Sequence, residues 1–290
     1  MLGAITGDTV GSTYEFHNTK DYNFKLFTPY SNYTDDSIMT IAVAKWIKSK
    51  NHSLENLEKI MVEIASQYPC PQGGYGGGFF TWLFEPSNLY NYEMEEELKG
   101  YKSESGRHPY NSWGNGSAMR VSAVGWAFDT LEETENMAKL SAEITHNHIE
   151  GIKGAQATAA AIYLARTGNS KKEIKEYIEK KYGYDLEKSW DYWHPIYKWE
   201  SSCQGTVPQA IIAFLDSADF EDAIRKAVSL GGDSDTLACI TGGIAEAFYK
   251  KIPSEFAKRV WEKLPDEFRD IIQWYRENTS YSESNIEEAE

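Results

Sequence analysis

Apolar side chains recur at i, i+3 and i+4 along most of this chain, while the alternation that marks a half-buried strand is scarce. A stripe of that period faces one side of a helix and cannot lie on one face of a sheet, so the expected fold is all-α. Ile38, Met39, Ala42, Val43, Trp46 and Ile47 make one stripe, with Asp35 and Asp36 in the first turn and Thr34 as N-cap. Leu54, Leu57, Ile60, Met61 and Ile64 make a second. Further helices are expected over 116–128, 131–144, 149–166, 220–229, 235–249, 254–263 and 267–276. Ser170 and Glu173 form a capping-box pattern that opens a charged helix running to Tyr182. Pro208 stands near the start of the Ala210 to Leu215 run, where a first-turn proline is tolerated. One domain is expected over 1–277, followed by a frayed acidic tail over 278–290 that carries Glu283, Glu287, Glu288 and Glu290.

Three stretches break the helical pattern: Lys20 to Tyr33, Cys70 to Phe80 and Tyr182 to Ser202. Long connections in a helical protein are more often functional than accidental, so a ligand pocket is sought there. Composition narrows the ligands. With 29 basic and 44 acidic residues the net charge is -15, a field that repels nucleic acid and bare polyphosphates unless cations offset it. Cys70, Cys203 and Cys239 are odd in number and far apart, which argues against a disulfide framework and a zinc site. No basic, apolar leader opens the chain and no apolar run is long enough to span a bilayer, so a soluble, cytoplasmic and monomeric protein is expected, without membrane contact or general nucleic-acid binding.

Two acidic clusters stand out chemically, Tyr33 to Ser37 and Leu230 to Thr236. Thr34, Asp35, Asp36, Asp233, Asp235 and Thr236 supply only hard oxygen ligands, which suit Mg²⁺ or Mn²⁺ better than zinc. Acidic residues at helix starts are also favoured by the helix dipole alone. Two such clusters, the second preceded by Gly231 and Gly232 for a tight turn, fit better as halves of a cage for a pair of divalent cations, typically ~3.5–4 Å apart. Glu15, after Gly7 to Tyr14, is a fifth candidate carboxylate.

Other segments are less specific. Ser112 to Arg120 sets glycines and small polar residues before a helix, an arrangement that presents backbone N–H groups to an anion and equally serves as a plain capped turn. His146 and His148 flank Asn147, and hydrogen bonding or stacking suits them better than metal ligation beside so oxygen-rich a set. Gln72 to Phe79 is too glycine-dense for a helix and reads as a loop that lets a ligand approach the backbone.

Taken together, the motifs resemble the ADP-ribosylglycohydrolase family from Gly3 to about Pro253. They are Gly3 to Asp8 with Glu15 following, Thr34 to Thr40, Gly114 to Val121, Thr145-His146, Gly205 to Ala210, and Gly231 to Leu237. The resemblance implies an orthogonal multi-helix bundle around a binuclear Mg²⁺ centre that hydrolyses the bond between the distal ribose of ADP-ribose and its acceptor. It makes Thr34, Asp35, Asp36, Asp233, Asp235 and Thr236 the metal ligands. Glu15 becomes a mobile carboxylate that shields or completes the site. Asp233 is the first candidate to orient or deprotonate water, with Glu15 and Asp36 as competitors. The ADP-ribose cleft would fall on Gly74, Tyr75, Gly76, Gly77, Gly78, Ser112, Trp113, Gly114, Asn115, Gly116, Met119 and His146, with Trp113 placed to stack.

The implied partner is an ADP-ribosylated protein or a small ADP-ribose conjugate. An acidic rim tilts the acceptor slightly toward arginine over serine. Two alternatives compete: a catalytically silent ADP-ribose binder, and another metal-dependent hydrolase acting on a phosphoester. None of the six ligand positions appears lost, which weighs against the first. No histidine sits in either acidic cluster, which weighs against the second.

Overall fold

A computed structural model of the protein describes residues 1–91, 101, 103–283 and 285–286. The all-α expectation holds: among the described residues the only strands are Lys251–Ile252 and Asn285–Ile286, one short parallel pair. Among the described residues no helix is long and apolar enough to cross a membrane.

The centre of the molecule is a helix that periodicity did not disclose. Leu2–Gly11 is buried along its whole length, so it shows no amphipathic stripe. It runs antiparallel to Ser234–Tyr249 at unusually short range. A Cβ on Gly3 would lie 2.4 Å from the Gly242 carbonyl, one on Gly7 1.9 Å from that of Ala238, and one on Gly11 2.5 Å from the Asp235 Cα. Real Cβ atoms essentially never come that close, so glycine every fourth residue is what lets the two backbones touch. The alanine-rich helix Ile149–Arg166 packs against both Ser234–Tyr249 and Leu131–Glu143, and Asp35–Lys48 packs against Leu54–Gln67.

Local chemistry sets the helix starts. Thr34, Ser53, Thr130, Ser170, Ser202 and Asp219 each accept a first-turn backbone N–H, and Ser170 with Glu173 completes the expected capping box. Three expectations need correction. The span 116–128 is two short helices, Gly116–Met119 and Ser122–Ala127. They part where Arg120 turns into the core to bond Ser141 and Thr145. The glycine-dense 72–79 stretch is only partly a loop, because Gly77–Phe84 forms a helix that buries Phe79, Trp82 and Leu83. Pro208 lies inside the helix Cys203–Leu215 rather than in its first turn.

The tail is also more ordered than its glutamates suggest. Ser280–Glu283 forms a 3₁₀ turn, and the fully buried Tyr281 hydroxyl donates to Glu246 at 2.6 Å and accepts from the Leu2 N–H at 3.0 Å. One aromatic ring with a polar tip thus anchors a segment whose composition reads as solvated. Glu287, Glu288 and Glu290 lie outside the described residues.

Candidate active site

The first acidic cluster is organised by a residue from another helix. Asp8, on the glycine-packed helix Leu2–Gly11, accepts from the Thr34 N–H at 3.0 Å and the Ser37 N–H at 3.1 Å, and from the Thr34 hydroxyl at 2.7 Å. The Ser37 hydroxyl is a fourth donor. Asp8 therefore caps the start of Asp35–Lys48 from outside it. Full burial pushes its carboxyl up to about 6, although all four bonds pull the other way. Thr34 is engaged as well: its Oγ1 donates to Asp8 and accepts from the Asp36 N–H at 3.2 Å, which leaves one lone pair. Thr34 is buried behind Asp35 and Asp36 and is not among the residues that line the cleft.

Asp35 and Asp36 project from that capped turn, and Asp233, Asp235 and Thr236 from the start of Ser234–Tyr249. The two clusters meet. Thr236 Oγ1 lies 3.4 Å from Asp36 Oδ1, and single oxygens of Glu15, Asp233 and Asp235 all fall within 4.8 Å of one another. Burial, and after it mutual repulsion, holds Asp35, Asp36 and Asp235 well above the usual carboxylate range. Glu15 rises to about 7 for the same two reasons, with Asp233 the chief repelling charge.

A divalent cation fits this arrangement. Glu15 Oε2 and Asp36 Oδ2 are buried without a hydrogen-bond partner, and an all-oxygen donor set matches Mg²⁺ or Mn²⁺. Among the described residues Arg120 is the one lysine or arginine lining the cleft, and its guanidinium is turned to Ser141 and Thr145. The cluster thus gathers carboxyl groups that no side-chain cation among the described lining residues neutralises.

The carboxylates form the floor of a cleft of about 370 Å³. Its walls include Gly74, Tyr75, Gly76, Gly77, Ser112, Gly114, Asn115, Gly116, Met119 and His146, all expected, together with Phe16, Gly73, Tyr110, Arg120, Trp199 and Ser201, which were not. Two isolated backbone bridges tie these loops to the site, Thr34 with Gln72 and Gly114 with Ser202. Trp113 does not line this cleft. It is half exposed at an adjoining cavity of about 530 Å³ that shares Gly77, Gly78, Tyr110, Ser112 and Gly114 with it. A third cavity, of about 540 Å³, lies beyond Glu15 and Gly73. Phe16 and Trp199 stack at 5.7 Å, joining the Glu15 segment to the wall opposite the glycine loop.

Asn115 serves the protein itself. Its two amide hydrogens go to Asp233 Oδ2 at 2.8 Å and Thr206 Oγ1 at 3.1 Å, so its amide nitrogen orients Asp233 and is not free to meet a ligand. His148 is structural: it caps Ile149–Arg166 by accepting the Glu150 N–H at 3.1 Å. Asp8 and Arg120 were missed as site residues although both lie inside quoted motifs. Their signal, charge within a small or apolar run, is visible only once burial is known.

Comparison with known proteins accords with this geometry. The sequence profile of the family described as ADP-ribosylglycohydrolase matches residues 1–284. The ADP-ribosylhydrolase ARH3 of Homo sapiens is 26% identical, over 98% of this chain and 91% of its own length. The putative ADP-ribosyl glycohydrolase L543 of Acanthamoeba polyphaga mimivirus is 25% identical over 88% of this chain and 87% of its own length. A solved structure titled as an ADP-ribosylglycohydrolase-related protein complex shares the fold, with a TM-score of 0.65 and 18% identity across 98% of this chain and 97% of its own.

Proposed function

The chain belongs to the ADP-ribosylglycohydrolase family, and from that membership we propose that it is a Mg²⁺-dependent hydrolase that releases ADP-ribose from a modified protein side chain. The observation that carries this reading is the convergence of both acidic clusters on the floor of one cleft. Asp35, Asp36, Asp233, Asp235 and Thr236 would hold two cations, with Glu15 completing the set and Thr34 supporting it. Bound there, the cations supply charge neutralisation and Lewis-acid polarisation.

The chain's own groups do the rest. Asn115 holds one oxygen of Asp233, leaving the other to take the proton of an attacking water. Asp36 Oδ2 and Glu15 Oε2 have no protein partner to give up on binding. Glu15 lines both the cleft and the third cavity, so it is placed to shield the site until substrate enters. The ribose end belongs over the carboxylates, and the adenosine end toward Trp113 in the adjoining cavity, where an exposed ring is available for stacking.

Arginine is favoured over serine as acceptor, since the third cavity has Glu15 in its wall and neither lysine nor arginine. The test is a panel of arginine-, serine- and nucleic-acid-linked ADP-ribose, with release measured with and without chelator. Turnover should need Mg²⁺ and be lost in Asp35→Ala and Asp233→Ala. Normal turnover by both variants would sink the mechanism, and tight ADP-ribose binding with no release from any substrate would make the protein a binder.

A further inference from the structure

We infer that Arg120 and Thr145 act as positioning residues that fix His146 in one tautomer, as a neutral donor whose Nε2–H serves the cleft. The chain of contacts is short and wholly enclosed. The Arg120 guanidinium donates to the Ser141 carbonyl and to Thr145 Oγ1, each at 2.9 Å. Thr145 Oγ1 lies 2.7 Å from His146 Nδ1. Arg120 is 1% exposed, Thr145 0% and His146 4%.

A hydroxyl has one proton, and the guanidinium can only donate. Thr145 Oγ1 therefore accepts from Arg120 and keeps its proton for His146 Nδ1. The reverse arrangement, with Nδ1–H donating into Thr145, would leave the hydroxyl proton buried without an acceptor among the described residues, an outcome folded proteins avoid. With Nδ1 accepting, the proton of a neutral imidazole sits on Nε2. Burial and the nearby Arg120 charge both push the imidazole well below its ordinary range, which keeps it neutral.

Nε2 faces the turn that precedes Gly116–Met119: a Cβ on Gly116 would lie 3.0 Å from it and one on Gly114 3.6 Å. Packing holds the relay in place, with the Arg120 guanidinium 5.7 Å from the Phe79 ring centre and the Tyr110 ring 6.0 Å from that of His146. The ligand atom that His146 meets must then be an acceptor, a phosphate or hydroxyl oxygen. This inference rests on the ADP-ribose reading for its ligand but not for its tautomer.

The tautomer is read directly from long-range ¹⁵N–¹H correlations of ring-labelled histidine, assigned by difference with His146→Asn. The wild type should show Nε2–H, and a wild-type Nδ1–H signal overturns the inference. In Thr145→Val the preference should be lost and ADP-ribose, titrated with Mg²⁺ present, should bind about tenfold more weakly, the loss of one hydrogen bond. Thr145→Ser, which keeps the hydroxyl, should restore both. Wild-type affinity in a folded Thr145→Val protein refutes the relay. If the valine variant does not fold, the wild-type tautomer and the serine variant decide. An Nε2–H tautomer in a wild-type protein that ignores ADP-ribose supports the relay while removing the ADP-ribose reading.

Discussion

Asp8 gives the sharpest test of how the first acidic cluster is built, through the contrast between Asp8→Ala and Asp8→Asn. Both variants remove the same buried charge, so its repulsion of Asp35 and Asp36 cancels between them. What differs is the number of donors left without an acceptor. In the asparagine variant the amide oxygen can occupy the Oδ2 position, which accepts from the Thr34 N–H, the Ser37 N–H and the Ser37 hydroxyl. The Thr34 hydroxyl then meets an NH₂ where it had an oxygen, and of the two amide hydrogens one can turn to Thr34 Oγ1 while the other has no acceptor there. In the alanine variant all four donors lose their partner. At about 1–3 kcal/mol for each buried donor left unsatisfied, four orphaned donors in the alanine variant against two in the asparagine variant put Asp8→Ala at least about 2 kcal/mol below Asp8→Asn. Urea unfolding of the metal-free proteins in chelator measures this from the midpoints at constant slope. Two variants within about 1 kcal/mol of each other would show that the cap contributes little, and the account of Asp8 would fail.

Proton linkage gives a second expectation. Glu15 is raised to about 7 and Asp8 to about 6, so between the unfolded carboxylate values and about pH 7 the folded metal-free protein binds more protons than the unfolded one. Stability then falls as pH rises through that window. Metal-free protein should have a higher urea midpoint at pH 5 than at pH 8, and added Mg²⁺ should flatten or reverse the trend; a rising midpoint without metal contradicts the repulsion described for the cluster. Asn115→Ala frees Asp233 and should lower kcat about tenfold or more while ADP-ribose affinity moves little; unchanged turnover would deny the orienting role. Gly73→Ala and Gly74→Ala share the same backbone strain at φ +81, yet only the first sets a methyl 2.7 Å from Glu15 Oε2. Mg²⁺ affinity by calorimetry should drop in the first and hold in the second, and equal affinities would show that Glu15 simply moves aside.

The candidate site was legible because chemistry is written in types and spacings: Asp35, Asp36, Asp233 and Asp235 offer carboxylate oxygens before any fold is known, and the structure brings them to one cleft. The amphipathic helices were legible for a similar reason, since Ile38 to Ile47 repeats a surface-to-core pattern. Periodicity falls silent where every face is buried, so Leu2–Gly11, every one of whose residues is buried, went unseen. Asn115 illustrates a second kind of silence. A motif shows that an amide is present, but not whether its hydrogens point to a ligand or to Asp233. Tyr281 shows a third, because one anchoring side chain outweighs the composition of the segment around it.

The backbone contact between Leu2–Gly11 and Ser234–Tyr249 also dictates when the site can exist. Its partners lie at opposite ends of the chain; the bond from the Ser234 hydroxyl to the Gly11 carbonyl spans 223 residues. While the polypeptide is being synthesised, Asp35 and Asp36 are ordinary solvated acids, because the helix that brings Asp233 and Asp235 has yet to emerge. Any cation held by both acidic clusters would thereby be taken up only after Ser234–Tyr249 has been made, and a product truncated before that helix carries only the first cluster. A circular permutant that linked the two antiparallel helices through a short loop would turn this last-formed contact into a local one, and with it the order of folding and metal uptake.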